Sequence, residues 1–419
     1  MFHRFSVAQN SENIPAGQRL PPGLHRCGES GKIRMALQAR RGGEKHTMNA
    51  VTFLVKPASG LCDLCCRYCF YDDVSDRRQV KSMGLMTQET ASRLIDAGFE
   101  AVQPGGTVQY LFQGGEPTLV GLDWLRAFVQ NAKDRCPPGV RLCWSIQTNG
   151  MCLDGQWCAF FREHGFLVGL SVDGTRGLHD RFRLDPHGKG TWRRAVQALE
   201  QLDKSGVETN LLCVVTGPAA RSPHKLYSAL RSLGEHPLQL IPCLDPMENS
   251  RAMDYSLTPR DYGRFLCSLF DCWYRDWAAG VYVSIRVFDD YLRLMLGMEP
   301  GSCASAGHCG NYLVVEGDGG LYPCDFFVLD EWRMGSIWEN TVRQALASPA
   351  GRAFQAQGAR RPPVCKTCVH EPLCRGGCPR DWDFSGPEPV NRYCEAFRCF
   401  LDYAAPRLRR VARQLSAAP

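Results

Sequence analysis

No apolar run in this 419-residue sequence approaches the roughly 20 residues that a helix needs to cross a bilayer. The first residues also lack the apolar stretch of a secretory leader. These absences argue against a helical membrane protein and make the cytoplasm the expected compartment. Low-complexity tracts and short internal repeats are missing as well, so the chain reads as globular. With 44% hydrophobic and 22% charged residues it can bury a large core, in about two domains. Its net charge is +6, and residues 1–47 alone hold eight Lys/Arg against three Asp/Glu. Arg40-Arg41 and the scattered lysines there have no interleaved aromatics, so the segment reads as a solvated tail, not a nucleic-acid stripe. It carries Pro21-Pro22 and no three-helix periodicity, and the compact pattern starts only at Thr52, just after Met48. Residues 1–47 are therefore expected to lie outside the working core.

Cysteine is the residue in excess. Twenty-two cysteines are too many for an ordinary cytosolic chain, and without a secretion signal a disulfide framework is a poor explanation. Metal is the better one. Eleven cysteines fall into two spaced groups, one near each end. Of the others, Cys136, Cys143, Cys213 and Cys267 stand in apolar surroundings and read as small buried hydrophobes.

After Met48, apolar β-branched runs alternate with helical patterns. TFLVKP, VQYLFQGGEP, RLCWSIQTNG, FLVGLSVDG, ETNLLCVVT and LQLIPCL are six strand candidates. Between them lie helix-length segments over 87–101, 122–135, 155–164, 190–205 and 223–233. Such repetition implies a parallel sheet. It fits a partial β/α barrel with chemistry at the carboxyl ends of the strands, and it also fits an open doubly wound sheet. From about Asp245 the rhythm changes to a helical stretch over 258–279, a strand-like VYVSIRVF, and a cysteine-rich region from Cys303 to Cys399. There, GNYLVVEGDGGLYPCDF reads as a hairpin turning at Gly317 to Gly320. The expected divisions are an extension 1–47, a barrel 48–245, a linking segment 246–302 and a cysteine-rich domain 303–419 that ends in a helix.

Cys62, Cys66 and Cys69 form C-x3-C-x2-C after the first strand. Three thiolates can hold three corners of a [4Fe-4S] cluster and leave one iron open. Cys65 also permits a reading as four zinc ligands, cramped onto eight residues. Gln113, Gly114, Gly115 and Glu116 follow the second strand, where paired glycines allow close approach to a ligand and Glu116 can meet an ammonium group. The second set is Cys303-x5-Cys309-x14-Cys324, then Cys365-x2-Cys368-x5-Cys374-x3-Cys378, then Cys394. Eight thiolates make two sets of four, which spacing alone assigns to neither zinc nor iron-sulfur.

The three-cysteine loop with QGGEP resembles the radical S-adenosylmethionine (SAM) superfamily, and the second set resembles its SPASM domain. KPASGLCDLCCRYCFYDD, SMGLM, LFQGGEPTL, SIQTNG, FLVGLSVDG, CLDP, SIRVFD and LYPCDFFVL, in that order from about Val51 to Val411, resemble the anaerobic sulfatase-maturating enzymes. The extension and Cys65 are the departures. The resemblance implies an oxidoreductase with a partial (β/α)6 radical SAM barrel and a small SPASM domain holding two auxiliary clusters, three [4Fe-4S] clusters in all, with SAM. It groups Cys303, Cys309, Cys324 and Cys378 on one auxiliary cluster and Cys365, Cys368, Cys374 and Cys394 on the other. It places Tyr68, Gly114, Gly115, Glu116, Ser171, Arg183 and Leu244 at SAM, and Tyr71 and Gln113 at the substrate peptide. Asp289 becomes the general base for oxidation of a sulfatase Cys or Ser to formylglycine, with flavodoxin or ferredoxin as electron donor and neither nucleic acid nor membrane as partner. On local sequence Asp289 or Asp290 also suits a helix cap, and Asp290→Asn is expected to stay largely active. The rival reading is a SPASM maturase that makes thioether or carbon-carbon crosslinks in a ribosomal peptide. A zinc-ribbon or nucleic-acid-binding protein is the non-catalytic one.

Overall fold

A computed structural model describes residues 48–247 and 252–417. The expectations for residues 1–47 lie outside the described residues. All six strand candidates form: β1 (Met48–Val55), β2 (Val102–Phe112), β3 (Arg141–Thr148), β4 (Leu167–Ser171), β5 (Glu208–Val215) and β6 (Leu238–Pro242). Each pairs in parallel with its neighbour in sequence. The order β6-β5-β4-β3-β2-β1 contains no reversal. A doubly wound sheet reverses at a switch point, so this winding is that of an incomplete barrel.

The strands are nearly continuous apolar runs because both faces are covered. In β1, Val51, Phe53 and Val55 enter the main core with Tyr110, Phe112 and Phe128, whereas Leu54 joins a smaller cluster with Tyr71, Val314 and Tyr322. Side chains alternate across a strand, and these two sets are the two faces. The expected helices form within a few residues of their bounds. Gln88–Ala101 starts at Thr87, whose side chain accepts from Thr90 N. Gly155–His164 starts at Asp154, which accepts from the amides of Gln156 and Trp157. Each such cap stabilises by about 1 kcal/mol. The helices Pro259–Ala278 and Cys394–Ala417 pack together through Phe270 against Phe400, and Phe288 of the helix Arg286–Met295 stacks on the same Phe400. No described helix is long and apolar enough to cross a membrane.

The hairpin at Gly317 to Gly320 forms between β7 (Leu313–Val315) and β8 (Leu321–Tyr322), with Gly319 at φ +86° in the turn. The sheet does not stop at the expected boundary before Cys303, because β7 pairs in parallel with β1. VYVSIRVF corrects the sequence reading. Only Ile285 makes a bridge, to Leu238, and the chain becomes helical at Arg286–Met295. Phe288, Tyr291 and Leu292, at i, i+3 and i+4, bury one helical face and outweigh the β-branched run before them.

Candidate active site

The turn after β1 carries Cys62, Cys66 and Cys69. It is tied to the rest of the barrel by backbone bonds: Glu116 N to Leu61 O at 2.7 Å, Cys65 N to Leu184 O at 2.8 Å and Arg67 N to Phe182 O at 2.9 Å. Cys62 Sγ accepts from Leu64 N and Asn149 Nδ2. Cys66 lies within electrostatic reach of Cys62 and Cys69; burial pushes its thiol up to about 11 despite the opposing charge of Arg183. Burial also raises Cys62 and Cys69. Thiols in this setting ionise when a cation replaces the proton. Cys65 is exposed, and its amide is spent on Leu184.

At the end of β2 the paired glycines serve close approach. Both have positive φ, and a methyl on Gly115 would overlap Leu61 O. Glu116 is 1% exposed, and four protein donors reach its carboxylate: Thr118 N, Thr118 Oγ1, Thr148 Oγ1 and Asn149 N. It braces the end of β3 against the cluster loop; three of the donors fall on Oε1, and Oε2, which takes only Asn149 N, keeps acceptor capacity for the ammonium contact expected from sequence.

Past β4, Tyr68 and Arg183 meet on a residue that the sequence reading did not single out. Asp173, in the motif LSVDG, accepts from the Tyr68 hydroxyl, from Arg183 Nε at 3.0 Å and from Val214 N at 2.9 Å. His179 Nδ1 accepts from Asp173 N, so its proton sits on Nε2, which donates to Thr191. Thr191 in turn donates to Arg183 O. Burial pushes His179 down to about 4, in keeping with this neutral ring. Arg183 is therefore a buried, paired residue. Ser171 is buried at the end of β4, and Leu244, half-buried, follows β6. Asp173→Ala would leave Arg183 buried without its partner, at a cost of about 3–5 kcal/mol. A lower Tm together with weaker SAM binding by calorimetry is the expected outcome.

Tyr71 and Gln113 join the barrel to the cysteine-rich segment. Tyr71 donates to Glu316, which also takes Arg78 at 2.6 Å. Gln113 Nε2 donates to Asp325 at 2.8 Å, and Lys56, fully buried, sits 2.5 Å from Asp325 and 3.6 Å from the Tyr71 ring centroid. Burial would raise Glu316, but Arg78 and Lys56 hold it below the ordinary range. Lys56, Asp325 and Glu316 were not legible as a unit, because nothing in local spacing signals a pair of residues so far apart.

The eight later cysteines sort into two sets. Cys303 is an electrostatic neighbour of Cys309, Cys324 and Cys378. Cys374 is likewise a neighbour of Cys365, Cys368 and Cys394, and these four line a cavity of about 220 Å3 with His370, Glu371 and Phe397. A methyl on Gly358 would stand 2.5 Å from Cys309 Cβ. Among the described residues no three Cys, His, Asp or Glu side chains close on a single-ion site. Cys365, Cys368, Cys374 and Cys394, ranged around one cavity, are the four thiols that a four-cysteine iron-sulfur cluster needs. Of the cysteines expected as buried hydrophobes, Cys213 is buried, while Cys136, Cys143 and Cys267 are only half-buried.

Asp289 lies in the first turn of Arg286–Met295 and accepts from Tyr282 OH at 2.5 Å and Ser284 Oγ at 2.6 Å. Burial pushes its carboxyl up to about 6, against the pull of those hydroxyls. Neither Asp289 nor Asp290 caps this helix, whose N-cap is Ile285 with no side-chain bond. Asp290 instead accepts from Gly301 N, Ser302 N and Ser302 Oγ.

Residues 57–223 match the model of the Radical SAM superfamily, and residues 307–369 match SPASM, an iron-sulfur cluster-binding domain. A cysteine-type anaerobic sulfatase-maturating enzyme of Clostridium novyi is 40% identical over 88% of this chain and 99% of its own length. A serine-type enzyme of Klebsiella aerogenes is 34% identical over 87% of each. The solved structure of native anSMEcpe with bound AdoMet and Cp18Cys peptide superimposes with a TM-score of 0.82 at 37% identity, over 87% of this chain and 99% of that one. Because it matches the Radical SAM and SPASM models in that order, and a sulfatase-maturating relative at 40% identity over 99% of that relative's length, the chain belongs to the anaerobic sulfatase-maturating enzymes of the radical SAM superfamily.

Proposed function

We propose that the protein oxidises a Cys or Ser in a sulfatase polypeptide to formylglycine. The observation that carries this reading is the gathering of a three-thiol loop, the QGGEP turn and the Tyr68–Asp173–Arg183 unit at the carboxyl ends of one incomplete barrel. Cys62, Cys66 and Cys69 are the ligands of a [4Fe-4S] cluster with one open iron. Tyr68, Gly114, Gly115, Glu116, Ser171, Arg183 and Leu244 form or brace the SAM pocket, and the two quartets hold the auxiliary clusters. When bound, the open cluster and SAM would supply the radical chemistry that takes hydrogen from the target Cβ, and an auxiliary cluster would take up the electron released.

The chain's own task is to place the peptide and move one proton. Tyr71 and Gln113, both fixed by carboxylates of the cysteine-rich segment, form the peptide wall. The resemblance makes Asp289 the acceptor of the thiol or hydroxyl proton; it stands beside Ser284, whose carbonyl takes Leu238 N at the amino end of β6, and its carboxyl, raised by burial to about 6, is ionised at neutral pH yet basic enough to accept. A substrate thioaldehyde then hydrolyses, whereas serine gives the aldehyde directly. Flavodoxin or ferredoxin supplies the electron, in the cytoplasmic setting expected from the sequence.

Reduced, reconstituted protein incubated with SAM and Cys- or Ser-containing sulfatase peptides should yield formylglycine and 5′-deoxyadenosine by mass spectrometry. A crosslinked peptide, or no change in the peptide, would overturn the assignment.

A further inference from the structure

Asp289 and Asp290 are consecutive on one helix, so their side chains diverge by about 100°. Asp289 turns back to Tyr282 and Ser284; Asp290 turns toward the segment that delivers Cys303. Asp290 is 1% exposed, and among the described residues its donors are the two residues before that cysteine. Gly301 N donates to Oδ1, and Ser302 N (3.1 Å) and Ser302 Oγ (2.6 Å) donate to Oδ2. Ser302 is in turn the N-cap of the turn Cys303–Ala306, accepting from Ser305 N. The cradle is close-fitting. A methyl on Gly301 would stand 2.6 Å from the Arg286 guanidinium and 3.0 Å from Asp290 Oδ1.

We propose that Asp290 is a positioning residue for the auxiliary cluster held by Cys303, anchoring its ligand loop and setting its electrostatic surroundings. One helix then carries the proton acceptor and the anchor of an electron acceptor on adjacent residues. The inference rests on the reading of Cys303 as a cluster ligand and of Asp289 as the base. A carboxylate is required because three donors converge on two acceptor-only oxygens. An amide would turn its own N–H groups toward one of them, which leaves a buried donor unpaired. The buried negative charge also opposes the arrival of an electron on the neighbouring cluster.

The test compares wild type, Asp290→Asn and Asp289→Asn after anaerobic reconstitution, reading iron and sulfide content, EPR-monitored redox titration and 5′-deoxyadenosine. Asp289→Asn should keep about twelve irons per chain and unchanged potentials. Asp290→Asn should either fall toward about eight irons or retain the cluster at a more positive midpoint potential, and in both cases still cleave SAM. Full iron with unaltered potentials in Asp290→Asn would overturn the proposal. If that variant does not fold, Gly301→Ala, which crowds the cradle but keeps the carboxylate, must lose the same cluster, and its retention would equally overturn the idea. Iron content and potential do not depend on the peptide. Loss of the cluster in a protein whose wild type makes no formylglycine would therefore sink only the functional assignment.

Discussion

Replacing Cys62, Cys66 and Cys69 together with alanine is expected to reduce 5′-deoxyadenosine formation to background while about eight of about twelve irons remain bound. The three thiols stand together in the loop that meets the residues proposed for SAM: Cys66 senses Arg183, and Cys62 shares Asn149 Nδ2, from the end of β3, with Asp63. The other eight cysteines stand in separate segments. Four of them ring their own cavity, so they should load independently. Iron and sulfide analysis beside an assay for SAM cleavage decides the matter. If the triple variant still made 5′-deoxyadenosine, the wrong cysteines would have been assigned. Near-stoichiometric zinc with little sulfide in the parent protein would refute iron-sulfur altogether.

The second large effect concerns the proton. Asp289→Asn keeps shape and removes basicity, so it should retain its irons and SAM binding yet lose roughly 10²–10⁴-fold in formylglycine formation, the range that a general base contributes. In the parent enzyme, kcat/KM for the peptide should fall about tenfold per pH unit below about 6, because the carboxyl must be ionised to accept. Above that pH the limb flattens. Tyr282 and Ser284 donate to the ionised form and so hold this value down. Tyr282→Phe should therefore move the limb to higher pH. An unshifted profile in that variant, or undiminished turnover by Asp289→Asn, would remove Asp289 from the mechanism.

Much of this was legible because the information is local. Each of the six strands is a short apolar run ended by Gly or Pro, and the cluster loop is a spacing within eight residues. Thr87 and Thr258 announce their helices by capping them. What was not legible is what distant residues do to one another. SIRVF reads as a strand from its Ile and Val, and it loses to the helical stripe of Phe288, Tyr291 and Leu292 once those find Phe400. Asp290 reads as a cap or a spare acid, and its three hydrogen bonds from residues 301 and 302 appear only in the fold. Asp173 stood inside a motif already quoted, but its role appears only when Tyr68, 105 residues away, reaches it.

The pairing of β1 with β7 has a consequence for how the chain is made. β1 emerges early from the ribosome, yet the strand that covers its second edge, and the Glu316 that receives Tyr71, follow some 245 residues later. At roughly 5–20 residues per second, that edge stays unpaired for on the order of ten to fifty seconds. An open parallel edge is a template for wrong partners, and the cluster loop immediately after it is unsupported for the same interval. Folding and aggregation of the nascent protein should therefore depend on how promptly the C-terminal third is synthesised, and a pause in translation before residue 313 should lower the yield of soluble protein more than an equal pause after residue 322.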